Sequence, residues 1–274
     1  MSKNVRMKKL FSLTLTLSFL LACTACDKDN GGEDTLSTVS LAADETPEPG
    51  VIYDGEKERD IIYLEENQYY QIGQTVHQVR DAQLSEYSDE VKHHEYDTTV
   101  HSITVTKKLD LSQWDTSKFS SDGLKGLQED GTLKPELGVG EDTQSYPRSF
   151  VIVDLTLANH SGYEEALYFS SDLVYFGQDD GAIAIWYNYP TYCSTAPGTE
   201  KDFYKYQSSG NDTVDVTLMY YIRDEELDTA YLLVNMQDGG SLNGNNYSNE
   251  EAAKEARQYL GAYRIMQEGT VTDE

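Results

Sequence analysis

Short segments in which apolar and polar residues alternate constrain the fold of this chain more than any other feature. Successive side chains of a β-strand point to opposite faces, so a period of two predicts a strand with one buried face. Seven segments are predicted as strands: residues 68–78, 98–106, 148–159, 166–176, 182–187, 213–223 and 230–236. Polar turns separate them, and no helix long enough for a βαβ unit intervenes. The sequence therefore predicts an all-β protein, an antiparallel β-sandwich.

Two segments depart from the strand pattern. Residues 111–140 contain Gly123, Gly126, Gly131 and Pro135 around Leu124 and Leu127, which predicts a loop insert with a helical turn. Near the C-terminus, Ser248-x-x-Glu251 has the form of a capping box and precedes apolar residues at helical spacing. This pattern predicts a short C-terminal helix that ends near Gly261.

The N-terminus has the features of an export signal. A basic segment, residues 1–9, precedes an apolar stretch over residues 10–22, which is shorter than the roughly 20 residues that a membrane span needs. Leu20-Leu21-Ala22-Cys23 resembles the lipobox of bacterial lipoprotein signals. The resemblance implies a signal peptide over residues 1–22 and a lipid on the Cys23 thiol. We therefore expect an anchor in the cell membrane, with the protein on its extracellular face.

Composition suggests the domain boundaries that follow the signal. Residues 24–50 are small, polar and acidic, which predicts a flexible tether over residues 23–66, with an edge strand or lead-in after residue 50. We expect the sandwich over residues 67–240, and the C-terminal helix and tail over residues 241–274. Lipidation of Cys23 leaves Cys26 and Cys193, which could pair as a disulfide. Unpaired thiols are the favoured alternative, because a disulfide would pin the tether to the domain.

Net charge restricts the classes of partner. The chain has 48 acidic and 21 basic residues, a formal charge of −27, and four of the basic residues lie in the first nine positions. A nucleic-acid-binding protein needs a basic surface that replaces phosphate counterions, so this class is excluded. Electrostatic docking onto an anionic leaflet is disfavoured for the same reason. Cationic or neutral partners are favoured instead.

The order of the predicted strands suggests a family. It comprises an opening Ile-Gly-Gln-Thr-Val at residues 72–76, a strand ending at Asn159, a Ser-Asp-Leu segment at 171–173, an Asp-Gly turn at 180–181, and strands at 213–223 and 231–234. Over about residues 68–236, this order resembles the immunoglobulin-like domains of unknown function in lipoproteins of Gram-positive bacteria. The resemblance implies an immunoglobulin-like β-sandwich at the cell surface. It implies no catalytic residues, because none is assigned in that family.

Candidate metal-binding and catalytic residues are few. His93-His94-Glu95, with His101 nearby, is the main histidine cluster, but adjacent strand residues point to opposite faces. We therefore interpret it as a solvated loop before a strand, and we predict no metal and no cofactor. Acidic turns at residues 179–180 and 224–228 are typical either of calcium sites or of solvated turns, and the second alternative is favoured. No nucleophile motif is present, so we do not expect an enzyme.

Aromatic residues supply the remaining candidate site. One tryptophan and five tyrosines fall within one turn-rich stretch: Trp186, Tyr187, Tyr189, Tyr192, Tyr204 and Tyr206. Exposed rings could stack on sugars or anchor a partner, whereas buried rings would be ordinary strand packing. The sequence thus predicts a non-enzymatic, lipid-anchored binding protein whose partner is a surface or secreted protein or a glycan. The alternative is a carbohydrate-binding protein that uses Trp186, Tyr187 and Tyr189.

Overall fold

A computed structural model describes residues 52–54, 57–59, 61–62, 64–83, 91–138, 143–177, 183–195, 204–235 and 260–273. The chain divides into two units, Met1–Thr46 and Pro47–Glu274, and every described residue lies in the second. The predicted signal peptide, Cys23, Cys26 and the tether over residues 24–50 lie outside the described residues. The predicted C-terminal helix, from residue 248 to residue 259, also lies outside them.

Two six-stranded sheets form the framework of the fold. Sheet I contains β5 (Thr75–Gln83), β6 (Val91–Thr106), β9 (Arg148–Asn159), β13 (Tyr192–Cys193), β15 (Thr213–Arg223) and β18 (Val271–Asp273). Its order is β13-β15-β9-β6-β18, and β5 also pairs with β6. Sheet II has the order β3 (Ile61–Ile62), β12 (Ile183–Asn188), β11 (Leu173–Gly177), β16 (Ala230–Val234), β17 (Gly261–Arg264) and β4 (Tyr69–Tyr70).

Shorter elements complete the described part of the chain. Three two-stranded pairs are β1 (Ile52–Asp54) with β2 (Lys57–Arg59), β7 (Glu136–Leu137) with β8 (Ser145–Tyr146), and β10 (Glu165–Tyr168) with β14 (Lys205–Ser208). The α-helix α1 covers Ser121–Gly126, and 3₁₀-helices cover Glu66–Gln68, Leu111–Gln113, Thr116–Lys118, Phe169–Ser171 and Asp224–Thr229. Pairing is antiparallel except for β17 with β4 and β18 with β6.

The main core lies between the inner faces of the two sheets. Alternate residues of β15, Leu218, Tyr220 and Ile222, are completely buried and pack with Leu232 and Val234 of β16. Burial of apolar side chains from both sheets supplies the main stabilising term of such a fold. The predicted all-β sandwich is confirmed.

The insert covers one half of the outer surface of sheet I. Phe150 of β9 and Tyr221 of β15 point outward there, and their rings meet edge to face with centroids 5.4 Å apart. They form a second core with insert residues such as Phe119 and Leu133. This arrangement explains why the first half of β9 is apolar on both faces. The predicted loop insert with a helical turn is the segment that carries α1.

Some strand predictions match the structure and others need correction. The strands at 148–159 and 213–223 are β9 and β15. The predicted strand 68–78 is instead interrupted at Gly73, whose positive φ of 86° makes a turn before β5. The predicted strand 166–176 is also broken, because the 3₁₀-helix Phe169–Ser171 separates β10 from β11.

The predicted limits of the sandwich were too narrow at both ends. β17 lies between β16 and β4, and β18 pairs with the second half of β6, so the sandwich continues to residue 273 rather than ending at 240. At the other end, β3 pairs with the edge of β12 before residue 67. These strands have only two to four residues, too few for an alternating pattern to appear in the sequence.

Candidate binding face

The outer surface of sheet I has an open half beside the half that the insert covers. Its side chains come from alternate positions of four neighbouring strands, because every second residue of a strand points to the same side. We call this surface the histidine face and define it by Thr75, His77, Asp81, His93, Glu95, Asp97, Thr99, His101, Ser102, Asp154, Thr156, His160, Asp215 and Thr217.

Local irregularity enlarges this face at its centre. The register of β6 against β9 shifts between Val100 and Ser102, which is the signature of a β-bulge. Val100 stays completely buried in the core. His101 and Ser102 therefore both reach the outer side, where each bonds to a side chain of β9.

Three carboxylates and three imidazoles alternate across β5, β6 and the end of β9, in the order Asp81, His93, Glu95, His77, Asp97, His160. The first contact joins His93 Nδ1 to Asp81 Oδ1 at 2.8 Å. The other ring nitrogen, His93 Nε2, lies 3.6 Å from Glu95 Oε2. His93 thus lies between two carboxylates on adjacent strands.

The same arrangement is repeated in the second half of this row of six side chains, from Glu95 to His160. Glu95 Oε1 lies 4.0 Å from His77 Nε2, and His77 Nδ1 lies 2.7 Å from Asp97 Oδ1. The other oxygen of Asp97 is 3.2 Å from His160 Nε2. The side chains of His77, His93 and His160 are 44–56% exposed, so the row of carboxylates and imidazoles is accessible to a partner.

The hydrogen bonds of the imidazoles indicate which ring nitrogen carries the proton. An ionised carboxylate can only accept, so His93 and His77 donate from Nδ1 and, when neutral, direct the Nε2 lone pair toward Glu95. The hydrogen bond to Asp81 raises the pKa of His93 above its ordinary value, and the neighbouring Glu95 raises it further. Protonation of His93 is therefore favoured by the folded arrangement.

A second network crosses β6, β9 and β15 beside the first. Thr156 donates its hydroxyl proton to Asp215 Oδ1 at 2.6 Å, so its oxygen accepts from His101 Nε2, also at 2.6 Å. Asp154 accepts from the hydroxyls of Ser102 and Thr217 at 2.8 and 2.7 Å. These contacts hold the exposed polar side chains in defined positions.

On the opposite side of β6, His94 belongs to a buried polar network. Its Nδ1 lies 3.1 Å from Glu165 Oε2 and 2.9 Å from the Tyr163 hydroxyl. Glu165 also accepts from Asn159 Nδ2 at 2.9 Å. Burial alone would raise the pKa of Glu165, but its hydrogen bonds to His94 and neighbouring polar groups lower it overall.

These positions test the interpretation of His93-His94-Glu95. The prediction that His93 and His94 point to opposite faces is confirmed, since His93 is exposed and His94 is 8% exposed. The prediction of a solvated loop is wrong, because all three residues lie within β6. The backbone of β5 pairs with β6 over Val91–Thr99, and that pairing does not depend on apolar side chains.

Neither the acidic turn at residues 224–228 nor Cys193 belongs to a metal site in the part of the chain that the structure describes. Among the residues that the structure describes, no three His, Cys, Asp or Glu side chains are grouped as a metal site would require. Asp224 of the predicted acidic turn accepts from Ser149 Oγ at 2.7 Å and pairs with Lys107. The second acidic turn, at residues 179–180, lies outside the described residues. Cys193 is completely buried, and its Sγ is 3.2 Å from Thr195 Oγ1.

The aromatic stretch does not form one exposed surface. Tyr192 is 7% exposed, and its ring contacts Trp114 and Phe119 with centroids 5.0 and 4.8 Å apart. Tyr204 is 2% exposed, and burial raises its pKa well above the ordinary value. For these two tyrosines the structure agrees with the packing alternative, because the rings of Tyr192 and Tyr204 fill the outer core and the main core, respectively.

The remaining aromatic candidates differ in their surroundings. Tyr206 is half-buried against the main core and donates its hydroxyl to Asp212 Oδ2 at 2.7 Å. Tyr189 is 52% exposed. Trp186 and Tyr187 lie on β12, but their side chains are outside the described part of the structure.

Sequence reasoning missed most of the histidine face. His77, Asp97 and His160 were not recognised, although the repeats His77-x-x-x-Asp81 and His93-x-Glu95-x-Asp97 have the period of one strand face. The inner positions Gln78, His94 and Thr98 are also polar, so no apolar alternation marked this part of β6 as a strand.

Comparison with known proteins adds one structural similarity. No family model matches the chain, and no curated protein matches it. The crystal structure of the yjhA protein from Bacillus subtilis is similar, with 12% sequence identity and a TM-score of 0.32, over 65% of this chain and 92% of that one. No helix in the described ranges is long and apolar enough to span a bilayer.

Proposed function

We propose that this chain is a non-enzymatic, lipid-anchored extracellular binding protein and that the histidine face is its binding surface. One observation carries the choice of surface: the open half of sheet I presents a continuous set of exposed polar side chains, already ordered by hydrogen bonds across four strands. Side chains held in position before binding lose less conformational entropy when a partner docks. The other half of the same surface is covered by the insert.

The charge of this surface supports a binding role. Five carboxylates lie on it: Asp81, Glu95, Asp97, Asp154 and Asp215. No Lys or Arg belongs to it. Two arginines do point outward on sheet I, but at the end covered by the insert, where Arg148 donates to Lys134 O and Arg223 to Glu136 Oε1. The face is thus acidic and lacks cations of its own apart from its histidines.

The histidine face can be tested by a pair of matched variants. In the face variant, Glu95→Gln and Asp97→Asn remove two charges from the histidine face. In the control variant, Glu66→Gln and Glu129→Gln remove two exposed charges elsewhere. Pull-down from the native cell surface should recover a partner with wild type and with the control, but not with the face variant. Equal recovery by all three proteins, or no specific recovery, would contradict the proposal.

Lipid anchoring is supported by the lipobox that ends in Cys23. Two acyl chains would give a stable membrane anchor, because each buried methylene contributes about 0.8 kcal/mol. A Cys23→Ala protein should leave the membrane fraction in cell fractionation. Retention of this variant in the membrane would refute the anchor.

Carbohydrate binding is a second candidate, favoured by the exposed ring of Tyr189. A glycan array with wild type and Tyr189→Ala would detect it. Binding of a glycan that is lost in the variant would support this candidate, and binding of no glycan would reject it.

A further inference from the structure

We infer that the histidine face binds a cationic polypeptide segment while its imidazoles are neutral and releases it when they become protonated. The inference depends on the proposed function, because it names the partner class and the regulation of the same surface. Three features of the face support it: its charge, the position of each imidazole, and the distances between imidazoles and carboxylates.

Charge complementarity selects the partner. With neutral histidines, the face presents five carboxylates and no Lys or Arg. A segment rich in Lys or Arg supplies ammonium or guanidinium groups that pair with carboxylates and donate hydrogen bonds to them. An extended segment places alternate side chains on one side, which matches the period of the carboxylates at Glu95 and Asp97. An anionic partner would be repelled by the same charges.

The protonated imidazoles would compete with such a partner for the same carboxylates. Asp97 has one oxygen beside His77 and the other beside His160, while Glu95 lies between His93 and His77. When these three rings are protonated, each adds a positive charge within 4.0 Å of a carboxylate that the partner needs. The three carboxylates and three imidazoles of this row then carry no net charge together.

The titratable groups in and around this array come from four strands of sheet I and the residue that follows β9. They are His77 and Asp81 of β5, His93, Glu95, Asp97 and His101 of β6, Asp154 of β9, His160 after β9, and Asp215 of β15. The screening length is about 8 Å at physiological ionic strength, so contacts of 4 Å or less are only partly screened. Each exposed ion pair is weak by itself. Three of them, one for each imidazole, together correspond to about a tenfold change in the affinity for the partner.

The test uses the full chain in a non-ionic detergent and fluorescein-labelled octalysine as the probe. Fluorescence anisotropy at constant ionic strength measures binding at pH 8 and at pH 5.5, with circular dichroism at both values to confirm folding. Wild type should bind at pH 8 and bind about tenfold more weakly at pH 5.5. Equal affinity at the two pH values would overturn the inference.

Three variants assign the effect to the face. The triple variant His77→Gln, His93→Gln, His160→Gln should bind equally at both pH values. If the triple variant does not fold, His160→Gln alone should make the difference in affinity between the two pH values smaller than in wild type, and an unchanged difference would contradict the inference. Asp81→Asn with Glu95→Gln and Asp97→Asn should lose binding at both. A control with Glu66→Gln, Glu129→Gln and Glu268→Gln should behave as wild type, since these exposed acids lie outside the face.

Failure of the inference is distinct from failure of the proposed function. If octalysine does not bind while the face variant still loses its native partner, only the inference is overturned. If the control lowers octalysine binding as much as the face substitutions do, the interaction is non-specific, and the inference also fails. If the native partner binds the face variant as well as wild type, the proposed function fails.

Discussion

Replacement of Tyr192 by alanine should destabilise the protein strongly, whereas the same change at Tyr189 should not. The two tyrosines are three residues apart, but Tyr192 is 7% exposed and Tyr189 is 52% exposed. Tyr192 belongs to the outer core and is in edge-to-face contact with Trp114 and Phe119. The pair thus separates a packing role from a surface role within one aromatic stretch.

The structure sets the expected magnitude of this difference. Truncation of a buried aromatic side chain to alanine costs about 3–5 kcal/mol, because the apolar contacts are lost and a cavity remains. The two ring contacts of Tyr192 are included in that figure, at roughly 0.5–1.5 kcal/mol each. For a domain of this size, about 4 kcal/mol corresponds to a decrease in Tm of about 8–16 °C. Tyr189→Ala should change the free energy of unfolding by less than about 0.5 kcal/mol.

Urea unfolding followed by far-UV circular dichroism would measure both variants. Tyr192→Phe serves as a control, since it keeps the ring and should stay close to wild type. The reasoning would be refuted if Tyr192→Ala left the unfolding midpoint unchanged, or if Tyr189→Ala lowered it equally.

Three further predictions concern packing and pH. Gly261→Ala should cost about 1–3 kcal/mol in chemical unfolding, because a Cβ there would lie 2.4 Å from Val76 Cγ2; an unchanged midpoint would contradict this close approach. The depressed pKa of Glu165 means that its contribution to stability is present above its ordinary pKa of 4.5 and is lost as the pH falls through its lower folded value. Glu165→Gln should therefore reduce stability by about 1 kcal/mol at pH 7, mainly by weakening the bonds to His94 and Asn159, and less at pH 3; an equal loss at both pH values would argue against this role. The raised pKa of His93 has the opposite sign, so its stabilisation is fully present below its ordinary pKa of 6.5 and is lost as the pH rises through the folded value. Wild type should exceed His93→Gln in stability more at pH 5.5 than at pH 8.5, and parallel stability curves for the two proteins would refute the linkage.

The strands of the fold could be predicted where one face is consistently apolar. β15 is an example, because Val216, Leu218 and Tyr220 mark the buried side at every second position. β6 could be predicted only in its second half. Its first half has polar residues on both sides, and the buried His94 is paired with Glu165, which is distant in the sequence.

The candidate site could be predicted less well than the fold. The histidine face is assembled from four strands, so its contacts depend on a register that no single segment specifies. The aromatic stretch shows the converse case. Tyr189 and Tyr192 are the same residue type in the same segment, and only tertiary packing makes one exposed and the other buried.

The two parallel pairings have a consequence for the order of folding. β4 pairs with β17 and β6 with β18, so early strands need partners from near the end of the chain. The bond from Gln68 Nε2 to Leu260 O closes a separation of 192 residues, and the bond from Tyr263 to Gln74 O closes one of 189. Contacts of such long range slow folding, because loop entropy is lost before the contact forms. We expect a nascent chain to leave sheet II incomplete until β17 emerges and sheet I incomplete until β18 emerges, so that both sheets are completed only by the last described strands.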